Sequence, residues 1–296
     1  MISITRYSKY LYKELQREND SRLLRSVFCK LLYLFLFTKV IFLGPVLKEF
    51  ITYWPVEFSS IGHHVLYAPV KLAQSNLNAF LMVTLSSIGV ALLVRVNYFT
   101  SALIFWLSFS LSRLTQPMSN GSDQVLNLFL FISIFLSERP FLLATLKEGQ
   151  KMISNSAWLL CQLQLLLIYL LSGYDKLISK SWRSGDAIYA IINLETYSNP
   201  WFAMTLNKSF FMAIAWCVIL FELSFPLLIG FKRFRVLILI SGFLFHVGII
   251  FFLNLPDFGI IMILSYILFI PHRRKETKDA QPSTNGKQPS MIINLP

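Results

Sequence analysis

Long apolar stretches separated by short polar breaks constrain this chain more than any other feature. A helix needs about 20 mostly apolar residues to cross the hydrocarbon core of a bilayer, within a range of roughly 17–25. Eight stretches come near that length: 27–47, 78–96, 98–115, 123–138, 157–175, 209–231, 235–254 and 256–271. The fourth and eighth are short, and only Arg95-Val96-Asn97-Tyr98 divides the second from the third, so counts of seven or nine stay open. Backbone in lipid must satisfy its own hydrogen bonds, which leaves helices or closed barrels. The expected fold class is therefore an all-α integral membrane protein, a polytopic bundle of about eight transmembrane helices.

Charge supports this. Only 14% of residues are charged, against roughly 25% in a soluble domain. A net charge of +12 would suit a nucleic-acid binder, but the charges gather at the termini and in the breaks between apolar runs. That distribution orients a membrane protein instead. The bilayer is the expected partner, and nucleic acid is not.

Three segments follow. Residues 1–26, with Arg6, Lys9, Lys13, Arg17, Arg22 and Arg25, are expected to be a basic amphipathic segment on the cytoplasmic surface. Residues 27–271 form the transmembrane domain. Residues 272–296, rich in Lys, Pro, Ser and Asn, are expected to be a disordered cytoplasmic tail. With both termini in the cytoplasm of a cell-membrane protein, the helix count is even. Lys176, Lys180, Arg183 and Lys208 then fall on the outer side, against the usual positive-inside bias. The first apolar run starts behind a long polar segment and reads as a membrane helix rather than a cleavable signal. Cys29, Cys161 and Cys217 lie in different apolar runs, without paired spacing, and are expected to be buried, inert thiols.

Ionisable side chains inside a membrane helix are costly and often mark function. Glu222 lies deep in the sixth stretch, with Pro226 removing the amide that would bond its carbonyl. His246 lies near the middle of the seventh. Counted from the basic turn at 232–235, the two are about 14–17 Å deep and level with each other, so they are expected to pair. Lys176 closes the fifth stretch, just before Trp182. Two readings stay open there: a desolvated amine acting as a base, or an interfacial lysine snorkelling to water. For the Glu222 and His246 pair, a purely structural lock is equally open. His63-His64 lack a third ligand at metal spacing, so no metal site is expected. Asn120-Gly121-Ser122-Asp123 reads as a turn with an N-cap. Lys39 is expected to reach the outer interface by snorkelling.

Taken in order, Tyr169, Gly173, Lys176, Trp182, Gly185, Phe221-Glu222-Leu223, Phe245-His246 and Phe258-Gly259 resemble a family motif series. So does the turn at Asn120–Asp123. The chain is similar to the HTTM family, the membrane domain shared by vitamin K-dependent gamma-glutamyl carboxylases and many short bacterial proteins. In size and in its C-terminal half it resembles the bacterial members of the sporulation-delaying B type, membrane factors for maturation of a peptide toxin. The resemblance implies a reactive face opening to the non-cytoplasmic side, with Lys176, Glu222 and His246 as candidate catalytic residues. It implies a quinone or hydroquinone as cofactor, with Lys176 as the base toward it, and a secreted peptide as partner. If the chain is an enzyme, carboxylase-like chemistry is what the resemblance implies. The chain departs from the carboxylases in having no histidine near Ser122 or Asp123 and no large soluble C-terminal part. A non-catalytic chaperone or partner subunit and a small transporter are the alternatives, and no internal repeat supports the last.

Overall fold

The computed structural model describes residues 22–56, 66–94, 97–136, 147–194 and 208–270. Within them the chain is helical, with no strand. Helix α1 spans Arg22–Tyr53, α2 Ala68–Ser75, α3 Leu77–Leu93, α4 Tyr98–Leu114 and α5 Gly121–Ser133. Helix α6 spans Lys147–Ile178, and the short helices α7 and α8 span Lys180–Arg183 and Asp186–Asn193. Helix α9 spans Lys208–Leu228, α10 Lys232–Phe252 and α11 Pro256–Ser265. Short 3-10 turns extend α5 to Leu136 and α11 to Phe269.

Among the described residues each expected apolar stretch contains a helix, but the helices differ in reach. Leu23–Tyr53, Gly149–Ile178, Lys208–Leu228 and Lys232–Phe252 are long and apolar enough to cross a membrane. Leu77–Leu93, Gly121–Leu136 and Pro256–Phe269 are shorter apolar helices. Helices α1 and α6 run well past the expected limits of 47 and 157, each to 32 residues, or about 48 Å. Hydropathy reports only the part of a helix that sits in lipid. The polar ends Lys48–Tyr53 and Lys147–Ser156 continue the same backbone hydrogen bonding beyond it.

Local chemistry sets several boundaries. The side chains of Asn76 and Asn97 accept hydrogen bonds from the amides of Ala79 and Thr100, capping α3 and α4. Asn120 and Asp123 form a reciprocal capping box at the start of α5, as the turn predicts. Asn254 has φ 48°, a left-handed conformation that ends α10 before Pro256 opens α11.

One apolar core runs through α1 to α6 and α9 to α11. A second, small cluster of Ile188, Phe211 and Ala215 joins α8 to the first half of α9. Gly185 turns the chain between α7 and α8 at φ 82°, facing the backbone of Phe211 and Met212. There Ser184 donates to Asp186 at 2.6 Å and Lys208 lies 3.2 Å away. These two partners hold the exposed Asp186 carboxyl below its ordinary range.

The cysteines are free, but Cys217 is exposed on α9 and Cys29 half-buried; only Cys161 is buried. The expectation of three buried thiols therefore stands corrected, because a lipid-facing helix surface tolerates a small apolar thiol. Residues 1–21 of the segment expected at 1–26, the His63-His64 pair and the tail expected at 272–296 lie outside the described residues, while residues 22–26 belong to α1.

Candidate functional site

Helices α6 and α9 pack closely because Gly173 leaves room for the Cβ of Glu222. One turn beyond Gly173, Lys176 projects over that contact. Its ammonium donates to both carboxylate oxygens of Glu222, at 3.0 and 2.8 Å. It also donates to the hydroxyl of Ser172, which in turn donates to Glu222 at 3.3 Å. The indole of Trp182 covers the ammonium at 5.0 Å from the ring centre. The lysine side chain is 17% exposed and the glutamate 7%. The result is a nearly dry, neutral pair whose oxygens and protons are saturated from three sides.

His246 takes different partners. Its Nε2 shares a hydrogen bond of 2.7 Å with the Tyr169 hydroxyl, which continues to the Tyr266 hydroxyl at 2.6 Å. Its Nδ1 is buried and has no hydrogen-bond partner. Aromatic rings of Phe245, Phe258, Tyr169 and Tyr266 surround the imidazole. The expected pairing of Glu222 with His246 is thus replaced: Glu222 binds Lys176, and His246 binds Tyr169. Depth counted along a helix gives height but not azimuth, and azimuth decides which neighbour a side chain meets. Tyr169 stands two turns, about 10 Å, before Lys176 along α6, so the three candidate residues occupy two adjoining layers of one interior.

A second polar centre escaped the sequence reading. Lys39 is buried, and its ammonium lies 2.8 Å from Asp123 and 3.1 Å from Asp257. Snorkelling is not what this side chain does. An ammonium within an apolar run needs a countercharge, and that demand could have directed attention to the two aspartates that open α5 and α11. Arg25 is likewise buried, bonded to Ser154 and Asn155 on α6, with the Ser154 contact at 2.7 Å.

Among the described residues, no group of three His, Cys, Asp or Glu side chains is placed to hold a metal ion. An apolar groove of about 470 Å³ opens between α1, α10 and α11, lined by Leu31, Leu239, Phe243, Ile263 and Tyr266. It borders the Tyr266 end of the hydroxyl chain and does not include Lys176.

Among known proteins, the chain is similar to the sporulation-delaying protein SdpB of Bacillus subtilis (strain 168), with 32% identity over 115 residues. The match covers 37% of this chain and 36% of the relative, so the chain matches little more than a third of that protein's length. No protein-family model matches the chain, and no solved structure matches it.

Proposed function

We propose that this chain is a multi-pass cell-membrane protein of the HTTM type that assists maturation or export of a secreted peptide. In this reading all eight apolar helices cross the bilayer, both termini are cytoplasmic, and the Lys176 end of the bundle faces outward. The observation that carries it is the Lys176–Glu222 pair, set among apolar helices beside a histidine with an open ring nitrogen. Similarity to a sporulation-delaying protein of Bacillus subtilis supports the peptide-maturation setting.

The chemistry open to the site is proton exchange. Lys176 serves as a base once its proton has moved to Glu222, along a contact of 2.8 Å. That transfer leaves two neutral groups, which a low-dielectric interior penalises less than it penalises charges. Ser172, bonded to both, keeps the donor and acceptor aligned. His246, Tyr169 and Tyr266 form a second hydrogen-bonded string able to hold or pass a proton. The orphaned Nδ1 of His246, ringed by aromatic faces, fits one oxygen of a flat quinone or hydroquinone. When bound, such a group would supply the two-electron chemistry that no side chain here can.

A non-catalytic reading draws on the same contacts. Gly173 seats Glu222 so closely that the ion pair also locks α6 to α9. Substitution separates the two. Lys176→Met and Lys176→Arg should each insert into the membrane yet lose peptide maturation in cells that carry the associated peptide. Full activity in both would remove base chemistry at Lys176. Full activity in Lys176→Arg alone would favour the structural lock, because arginine keeps the pair but cannot give up its proton.

A further inference from the structure

We propose that Lys39 is a positioning residue that fixes the ring of His246 through Asp257 and Phe258. The proposal rests on the reading of His246 as a site residue, and its test reads His246 directly.

Gln162 donates to the carbonyl of Leu268 and Tyr169 meets Tyr266, so α11 runs antiparallel to α6. The first turn of α11, with Asp257, therefore lies at the Lys176 end of the bundle. There Lys39 bridges two helices that are remote in sequence. Asp123, on α5, is the fixed side of the bridge. Its carboxylate accepts from the Asn120 amide at 3.3 Å and from the Ser112 hydroxyl at 3.4 Å, as well as from Lys39. Asp257 is the other side, and its side chain is 42% exposed. Its contact of 3.1 Å with the Lys39 ammonium ties the first turn of α11 to α1 and, through the shared ammonium, to Asp123 on α5.

The next two residues carry that position to His246. The ring of Phe258 meets the imidazole edge-on, with centres 5.8 Å apart. The same ring lies against Gly121, where a Cβ would come within 3.2 Å of it. Gly121 stands two residues before Asp123, so both partners of Lys39 have neighbours in mutual contact. Gly259 packs on the backbone of His246: a Cβ there would stand 2.8 Å from the His246 carbonyl oxygen. His246 is thus held at Nε2 by Tyr169 and along its ring and backbone by Phe258 and Gly259. Release of Asp257 loosens the second hold and leaves the first.

The test uses the full chain in lipid nanodiscs with His63, His64 and His272 changed to Asn, so that His246 is the single histidine of the four. Diethylpyrocarbonate acylates accessible imidazole nitrogen, and mass spectrometry follows its rate at His246. Asp257→Asn keeps the Lys39–Asp123 pair and should leave the melting temperature near that of the parent. It should raise the modification rate at least fivefold, through local opening rather than unfolding. Lys39→Arg should hold the rate at the parent level. Phe258→Ala should raise it as Asp257→Asn does. A rate in Asp257→Asn within twofold of the parent overturns the proposal, whatever Phe258→Ala does. Should His246→Gln retain full peptide maturation, the functional reading of His246 falls, while the modification rates still decide whether Lys39 positions the ring.

Discussion

Gly173 faces the Cβ of Glu222 across the α6–α9 interface, and a methyl group at residue 173 would stand 3.0 Å from it. The closeness of the two backbones lets a lysine one turn further along reach the carboxylate with both hydrogen bonds intact. Close approach through small residues is a common way for membrane helices to associate, since lipid offers no hydrophobic drive between them.

Gly173→Val should therefore part α6 from α9 and stretch the Lys176–Glu222 contact. Overpacking of this kind costs about 1–3 kcal/mol. Thermal unfolding in detergent should show the loss. Gly89→Ala, where a Cβ meets nothing within 4 Å, should be neutral or slightly stabilising in the same assay.

Removal of one charge from the buried pair should cost more than removal of both. Glu222→Gln alone leaves an uncompensated ammonium and should destabilise by about 3–5 kcal/mol. Glu222→Gln combined with Lys176→Met should recover much of that. Equal stability losses that simply add would show that the two residues do not interact.

Tyr169 and Tyr266 both lose a hydroxyl on change to Phe, with unequal consequences. Tyr169→Phe strips His246 Nε2 of its partner and interrupts the string, at about 1–3 kcal/mol. Tyr266→Phe leaves the Tyr169–His246 bond in place and should cost about 0.5–1.5 kcal/mol. Denaturant titration of the two variants checks the order, and a reversed order would argue against the hydroxyl string.

Arg183 is exposed on α7, just beyond Lys176. With the native cysteines changed to Ala, Arg183→Cys should react with a membrane-impermeant maleimide added to intact cells. Reaction only after permeabilisation would place this end of the bundle in the cytoplasm and end the proposed topology.

Gly185→Ala should be poorly tolerated. A non-glycine residue in the left-handed region costs about 1–2 kcal/mol, and the added methyl would press on the Met212 backbone. Proteolysis at the α7–α8 turn should accelerate, because the small Ile188–Phe211–Ala215 cluster depends on that turn.

Much of the bundle was legible in the residues. Apolar runs marked eight helices, and the turn at Asn120–Asp123 marked one N-cap, whereas the caps at Asn76 and Asn97 emerged only in the structure. Glu222 and His246 stood out because each breaks a run that lipid chemistry would keep apolar, and Lys176 because it closes one just before Trp182. Their partners were not legible. Glu222 and His246 share a depth in a helical hairpin, yet α6 supplies both of their ligands. Tyr169 and Tyr266 look like ordinary membrane aromatics until they meet.

What the chain determined by itself was the helical class, the approximate helices and the presence of costly charges within them, because these follow from local periodicity and the need to satisfy backbone in lipid. Which charges neutralise one another was decided only in three dimensions. Lys39 with Asp123 and Asp257, and Lys176 with Glu222, are contacts between helices far apart in sequence, set by rotation and close approach. A small residue such as Gly173 permits that approach without announcing it.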